Sequence, residues 1–345
     1  MSHKAPSRIW LFAFGYFASY APYSLITKRV TSGLATGVHW SGVSILPLAT
    51  IASTIGMIIF TTSMRWWPYA THSQLGRFSI PRPRLVTFMS GVATAAILLT
   101  TTLAYTFEGI SILFVMLLMR GGVLLLAPMI DRLGGRTFKS IPWWSWAGSG
   151  LSLAALVVAF APAGGSELTV PAGVVVLVYL GGYFFRLRWM SSQAKFEGPD
   201  VRERRLRFFV EEQMVATPLA VLVLAIAATT PTGIGHDLRE GFAGFGGDVP
   251  TILWVVLAGI CSQGSGAFGA LVLLEPQENA YTVPVNRAAS VLAGVVASFA
   301  LTLFGEAALP DAAELAGAAI IILAIAVLAW PVWQRRAARL AAARA

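Results

Sequence analysis

Ten apolar runs of membrane-spanning length constrain this chain more than any other feature of its sequence. They lie at residues 9–27, 43–64, 85–104, 109–130, 141–161, 168–186, 213–230, 251–274, 283–304 and 314–334. A helix needs about 20 apolar residues to cross roughly 30 Å of hydrocarbon. Since 56% of the 345 residues are hydrophobic and 12% are charged, the composition favours the same class. The sequence therefore predicts an all-α membrane protein with ten transmembrane helices.

The basic residues are strongly biased to one side of the predicted membrane. With the runs placed as above, 20 of the 25 lysines and arginines fall on the side of the N-terminus. Three (Lys28, Arg29 and Arg239) fall on the other side, and Arg120 and Arg287 lie inside runs. Because cytoplasmic loops carry the excess of Lys and Arg, both termini are predicted to be cytoplasmic. The net charge of +9 thus reflects topology, is compatible with contact to anionic lipid headgroups, and does not indicate nucleic acid.

The runs divide into two sets of five that resemble each other weakly. "MRGGVLLLA" at 119–127 has a counterpart in "NRAASVLAG" at 286–294, which aligns Arg120 with Arg287. Each set has an odd number of helices, so the second set enters the membrane from the opposite face. We therefore predict two inverted five-helix repeats, residues 1–165 and 166–345. Because inverted repeats place a substrate site near the midplane, the two arginines could face one cavity.

The C-terminal part of the chain also resembles a known family. "SVLAGVVASFALTLFGEAALPDAAELAGAAIIILAIAVLAW", residues 290–330, has a helix, a turn at Gly305 and Glu306, and a Gly-Ala-led final helix. This pattern resembles the EamA-type members of the drug/metabolite transporter superfamily. The first half matches less well, with Asp131 and a basic loop near the position of that turn, and the long loop 187–212 departs from the family pattern. The resemblance implies a five-plus-five inverted repeat, export or exchange of a small metabolite, and a bacterial inner-membrane location.

Arg120 is the strongest single signal for a binding site. A permanently charged guanidinium at the centre of a lipid-exposed helix costs about 2.5–3.5 kcal/mol on insertion scales. One interpretation is that it binds a phosphate or carboxylate group of a substrate through two parallel hydrogen bonds. The alternative is a structural role, bonded to carbonyls near Gly121 and Gly122 or paired with a buried acid. We expect no acid deep in the runs, which argues against the ion pair.

Arg287 lies in the related segment "YTVPVNRAAS". Pro284 removes a backbone donor there, which would leave Asn286 and freed carbonyls near a cavity. The functional interpretation is again anion binding. The alternatives are extension of the side chain to the cytoplasmic interface and an ion pair with Glu275 or Glu278.

The first run carries Tyr16, Tyr20 and Tyr23 on one helical face, with Lys28 at its outer end. These hydroxyls could line a substrate path, with Lys28 as a gate charge, or form an interfacial aromatic belt.

Two further segments leave alternatives open. Gln263 lies in the glycine-rich stretch 259–270, which favours helix packing, although Gln263 could contact a substrate. Residues 200–213, "DVRERRLRFFVEEQ", are interpreted as an interfacial amphipathic helix or a solvated loop.

We predict a secondary transporter that moves a small anionic metabolite by alternating access, and not an enzyme. The expected substrate-binding residues are Arg120, Arg287, Asn286, Tyr20, Tyr23, Gln263 and Lys28. With one cysteine and four dispersed histidines, no metal site and no cofactor are expected. The expected partners are a small-molecule or lipid substrate and membrane lipids, with monomer and homodimer both open.

Three alternatives differ in what they require. A flippase for an anionic lipid or lipid-linked sugar would need a lateral opening between helices. An integral-membrane enzyme acting on lipid phosphates would need a nucleophile or general base, which arginines do not supply. A membrane scaffold would tolerate replacement of both buried arginines.

Overall fold

The computed structural model describes residues 8–103, 112–133, 143–160, 170–195, 200–303 and 312–342. Within these ranges the chain forms eleven α-helices and one β-hairpin. The helices are α1 (Ile9–Thr31), α2 (Leu46–Ser63), α3 (Leu85–Leu103), α4 (Ile112–Leu133), α5 (Trp143–Phe160), α6 (Val170–Gln193), α7 (Val201–Ala228), α8 (Gly233–Phe242), α9 (Val249–Leu273), α10 (Asn279–Leu303) and α11 (Ala312–Ala342). The hairpin consists of β1 (Thr71–Leu75) and β2 (Phe78–Arg82).

Each of the ten apolar runs coincides with a helix, and α8 is an additional short one. Counting described residues alone, six helices (α1, α2, α6, α7, α9 and α10) are long and apolar enough to cross a membrane. The protein is therefore a helical membrane protein, while the ten crossings and the inverted repeat stay predictions. The predicted turn at Gly305 and Glu306 lies outside the described residues.

The first turns of α2 and α9 each contain a proline, Pro47 and Pro250. Proline suits this position because the first-turn N–H groups have no partner within the helix. The short α8 begins at Thr232, whose hydroxyl accepts a hydrogen bond from the Gly235 N–H at 3.1 Å.

Helix packing follows a reciprocal pattern across the two halves. Helix α1 packs on α9 and α10, and α6 packs on α3 and α4, while α2 contacts α7 and α5 contacts α11. Small residues allow the close approaches, because a Cβ at Gly264 would lie 2.6 Å from the Ser19 hydroxyl oxygen. Likewise, a Cβ at Gly182 would lie 3.1 Å from the Ala93 carbonyl oxygen. The largest buried apolar cluster lies between α4, α6, α7, α9 and α10, and the candidate site lies beside it.

Of the two interpretations of residues 200–213, the solvated loop was wrong, because residues 201–213 form the first half of helix α7. Helix α7 begins 12 residues before the predicted run at 213 and buries Phe208 and Phe209 completely. The expectation that no acid lies deep in a run did not cover Glu211 and Glu212, which precede the predicted run at 213 and are nevertheless fully buried. A hydropathy average along the sequence ends the apolar run at these charges. In the folded protein, side chains from other helices form hydrogen bonds and ion pairs with them.

The segment between α2 and α3 forms a hairpin that the all-α prediction missed. Its strands pair antiparallel, with Thr71 opposite Arg82 and Gln74 opposite Ser79. Gly76 occupies the turn with a φ of 63°, a left-handed conformation that glycine adopts without steric cost. The hairpin thus adds a small structured element at the ends of α2 and α3.

Candidate functional site

Arg287 is a buried cation with unused hydrogen-bond donors. Its side chain belongs to a residue only 5% exposed, and its guanidinium carbon lies 4.8 Å from the centre of the Tyr183 ring. Within the described ranges, its Nε and one Nη atom have no hydrogen-bond partner. The side chain is buried instead of extending to the interface, Glu275 pairs with Arg205, and the ion pairs of the described residues include none between Arg287 and Glu275 or Glu278. Since an arginine does not deprotonate in proteins, the site carries a permanent positive charge.

Arg120 is half-buried and contacts the first helix. Its Nη2 donates a hydrogen bond of 2.8 Å to the hydroxyl oxygen of Tyr20. Its guanidinium carbon lies 6.0 Å from the centre of the same ring. The neighbouring Gly121 and Gly122 serve packing, since a Cβ at Gly122 would lie 2.6 Å from the Leu180 side chain.

The two arginines occupy matching positions in their helices. Arg120 lies eight residues after the start of α4, and Arg287 lies eight residues after the start of α10. At a rise of 1.5 Å per residue, the Cα atom of each arginine lies about 12 Å along the helix axis from the start of its helix.

Four tyrosines surround these cations, two from α1 and two from α6. The ring centres of Tyr16 and Tyr20 lie 5.5 Å apart, and those of Tyr179 and Tyr183 lie 4.9 Å apart. Tyr16 and Tyr179 each lie close enough to both guanidiniums for either charge to act on the phenol. The arginines from α4 and α10 therefore share the same phenolic surroundings.

Tyr179 and Tyr183 were not predicted as site residues. The signal was present in the sequence, because the spacing Tyr-x-x-x-Tyr occurs once in α1 and once in α6, the first helix of each predicted repeat. Side chains four residues apart lie on one helical face, so each pair presents two rings to the same neighbours.

Asn286 and Gln263 are both buried but have different surroundings. Asn286 donates a hydrogen bond of 3.3 Å from Nδ2 to the Gly269 carbonyl oxygen. A Cβ at Gly269 would lie 3.2 Å from that Nδ2 and from the Tyr16 ring, so Asn286 is close to the tyrosines. Gln263 instead packs toward Gly56 of α2, and its Nε2 has no partner within the described ranges.

Tyr23 and Lys28 extend from the cluster along α1. The Tyr23 ring centre lies 5.7 Å from that of Tyr20, which continues the aromatic row. Lys28 is exposed in the last turn of α1. It lies eight residues beyond Tyr20, about 12 Å along the helix axis, and so at the edge of the site.

A buried ion pair that was not predicted adjoins the cluster. Arg186 donates from Nε and Nη2 to the two carboxylate oxygens of Glu212, at 3.0 and 2.9 Å. The same carboxylate accepts hydrogen bonds from Ser90 at 2.5 Å and Thr94 at 3.2 Å. Arg186 also interacts electrostatically with Arg287. Since Glu212 neutralises Arg186, the excess positive charge of the site rests on the other arginines.

A second polar network ties α4, α6 and α10 together at their predicted cytoplasmic ends. Asp131 accepts hydrogen bonds from the Asn279 N–H at 3.0 Å and the Ala280 N–H at 2.8 Å, which caps α10. Lys195, 1% exposed, donates from Nζ to Asn279 Oδ1 at 2.7 Å and to the Thr282 hydroxyl at 3.2 Å. These bonds hold the three helix ends together on one side of the site.

One group of side chains has the spacing of metal ligands. The donor atoms of His236, Asp237 and Glu240 on α8 lie within 4.8 Å of one another. Asp237 already accepts a hydrogen bond from the Ser41 hydroxyl at 2.7 Å, and His236 is exposed. Exposed acidic groups of this kind are common without an ion, so this cluster is not assigned a role.

Comparison with known proteins identifies the fold and no more. No family model matches the chain, and no curated protein matches its sequence. A crystal structure of a protein matches it with a TM-score of 0.57 and 14% identity, over 93% of this chain and 96% of the other. The structural similarity therefore covers nearly the whole of both chains, but at this sequence identity it supports a shared fold and no shared function.

Proposed function

We propose that this protein is a secondary transporter, of the EamA-like branch of the drug/metabolite transporter superfamily, that moves a small anionic metabolite across the inner membrane. The observation that carries the proposal is the buried Arg287, with two guanidinium nitrogens lacking acceptors among the described residues. Buried donors of a charged group that lack acceptors are costly, so we infer that the fold retains them for a purpose other than stability.

The orientation of Arg287 favours an oxyanion as the missing acceptor. The Tyr183 ring contacts the guanidinium, whereas Nε and one Nη have no acceptor in the part of the chain that the structure describes. Guanidinium N–H groups form two parallel hydrogen bonds with a carboxylate or phosphate. A phosphorylated or carboxylated metabolite would therefore satisfy the donors and neutralise the charge at once.

Arg120 supplies the second positive charge, and the tyrosines supply neutral hydroxyls. Arg120 is held by Tyr20, so an anion bound between the helices would meet both guanidiniums through a shared phenolic lining. Tyr23 extends this lining toward the exposed Lys28, which would attract anions to the outer end of the path. Asn286 lies beside Tyr16 and is suited to contact the uncharged part of the substrate.

Alternating access is supported by the reciprocal packing of the helices. The contacts of α1 with α9 and α10 have counterparts in those of α6 with α3 and α4. The Arg120–Tyr20 pair likewise has a counterpart in the Arg287–Tyr183 pair. Two similar halves meeting at a shared site can rock about it, which exposes the site to each side in turn.

A transporter is a better proposal than an enzyme acting on lipid phosphates. The buried carboxylate of Glu212, which adjoins the site through Arg186, already accepts hydrogen bonds from Arg186, Ser90 and Thr94. It is therefore engaged as a structural partner and is poorly placed to act as a general base.

The test combines ligand-induced stabilisation with transport. Purified protein would be heated with inorganic phosphate, succinate, a zwitterionic amino acid and a neutral sugar, beside the variants Arg287→Gln and Arg120→Gln. Ligand at about 100 times its dissociation constant stabilises the folded state by roughly 2.7 kcal/mol, which shifts the melting temperature measurably. The exposed Arg202 provides the matched control, Arg202→Gln.

We expect an anion to stabilise the parent and Arg202→Gln, but not Arg287→Gln. The same anion should then exchange across liposomes containing the parent protein. If Arg287→Gln is folded and responds like the parent, or if only neutral or cationic compounds stabilise the protein, the anion-transport proposal is wrong.

A further inference from the structure

The tip of the hairpin between α2 and α3 exposes large apolar side chains next to arginines. Phe78 is 75% exposed and Ile80 is 43% exposed. Because side chains two residues apart in a strand lie on the same face, Phe78 and Ile80 form one apolar surface. Arg77 is exposed in the turn, and Arg82 is exposed at the end of β2.

The charge of this segment is of one sign. Residues 64–84 contain four arginines and no aspartate or glutamate. One of them, Arg84, is neutralised by Glu211 through a 3.0 Å ion pair. The remaining three, Arg65, Arg77 and Arg82, are exposed. The hairpin therefore combines an apolar tip with a positive surface.

The base of the hairpin is fixed to the helix bundle. Glu211 of α7 accepts hydrogen bonds from the Thr71 N–H at 3.0 Å and the Thr71 hydroxyl at 2.7 Å. After β2, the same carboxylate accepts a hydrogen bond from the Arg84 N–H and one of 2.6 Å from the Thr87 hydroxyl. Trp66 packs edge-to-face on Phe209, with ring centres 5.5 Å apart. One buried carboxylate thus holds the start of β1 and the start of α3, which leaves the tip to project from a rigid base.

The predicted topology places the hairpin close to the membrane surface. It connects the end of α2 at Ser63 to the start of α3 at Leu85, two helices that coincide with predicted membrane runs. The distribution of lysines and arginines predicts that this side is cytoplasmic. The cytoplasmic leaflet carries the anionic lipids, whose surface potential attracts basic segments.

We propose that the hairpin tip binds the headgroups of anionic phospholipids, with Phe78 and Ile80 entering the interfacial region and Arg77 and Arg82 contacting lipid phosphates. Burial of the aromatic ring in the interface removes apolar surface from water. The arginines, set beside it on the same short hairpin, complement the negative headgroups. This proposal does not depend on what the protein transports.

The test places an environment-sensitive fluorophore at the tip. In a Cys261→Ser background, Phe78→Cys is labelled with bimane and the protein is reconstituted in nanodiscs. One set of nanodiscs contains phosphatidylcholine alone, and the other contains an equal mixture of phosphatidylcholine and phosphatidylglycerol. A label at His236→Cys, exposed on α8, serves as the control position.

We expect the label at position 78 to shift to shorter wavelength, and to be less quenched by acrylamide, when phosphatidylglycerol is present. Adding Arg77→Gln and Arg82→Gln to the labelled chain should abolish this difference, and so should high salt. The label at position 236 should not respond to lipid charge. The proposal is overturned if emission at position 78 is the same in both lipids. It is equally overturned if emission follows the protein-to-lipid ratio, which would indicate contact with a second copy of the chain.

Discussion

The guanidinium carbon of Arg287 lies 4.8 Å from the centre of the Tyr183 ring, and the two side chains come from helices in the same predicted half. A desolvated cation–π contact of this kind contributes about 2 kcal/mol. Tyr183 therefore holds in place the residue on which the proposed anion site depends.

Replacing Tyr183 by phenylalanine should weaken anion-induced stabilisation less than replacing it by leucine. Phenylalanine keeps the ring beneath the guanidinium, whereas leucine removes it and frees Arg287 to move. The thermal shift with inorganic phosphate measures both variants. Equal losses would mean that the ring contact does not position Arg287.

Removing the carboxylate of Glu212 should destabilise the protein strongly. Glu212→Ala leaves Arg186 buried without a counter-charge, a change that costs about 3–5 kcal/mol. The double variant Arg186→Met, Glu212→Leu should recover most of this loss, because an apolar pair needs no compensation.

The matched control for that pair is Glu203, which pairs with Arg207 at the exposed start of α7. Glu203→Ala should cost about 1 kcal/mol or less, because exposed pairs are screened by water. Chemical unfolding in detergent compares all of these variants. A double variant as unstable as Glu212→Ala would show that the charge pair has a specific structural role.

Asp131→Asn should loosen the start of α10. The carboxylate accepts hydrogen bonds from the N–H groups of Asn279 and Ala280, and an uncharged amide binds such donors more weakly. Loss of a helix cap costs about 0.5–2 kcal/mol, and each 1.4 kcal/mol corresponds to a factor of ten in an equilibrium constant. Hydrogen exchange at the backbone amides of residues 279–283 should accelerate accordingly, while exchange in α3 stays unchanged. Unaltered exchange at the start of α10 would show that Asp131 does not stabilise this helix end.

Gly91→Ala should destabilise the contact of α3 with α7. A Cβ at Gly91 would lie 2.5 Å from Val215 Cβ, so the helices must separate, at a cost of about 1–3 kcal/mol. At Gly150 in α5 a Cβ would meet no atom within 4 Å, so Gly150→Ala should be neutral or stabilising. Melting temperatures of the two variants provide the comparison. If both lower the melting temperature equally, close packing at Gly91 is not the cause.

The sequence by itself determined the helical membrane class and the positions of most helices. Hydrocarbon imposes a length and an apolar composition that can be read locally, which is why every run coincides with a helix. It also singled out Arg120 and Arg287, because a permanent charge inside an apolar run is conspicuous without any knowledge of its neighbours.

Only the tertiary structure decided which groups meet those charges. Tyr183 became a partner of Arg287 through the packing of helices about a hundred residues apart in the chain. Helix α7 can bury the carboxylates of Glu211 and Glu212 because Arg84, Arg186 and several hydroxyl groups form ion pairs and hydrogen bonds with them. A hydropathy average along the sequence includes the unfavourable burial of these charges but not the partners that other helices supply. The energy of a buried polar group depends on partners that folding brings together, so the site's charges could be found from the sequence while their pairing could not.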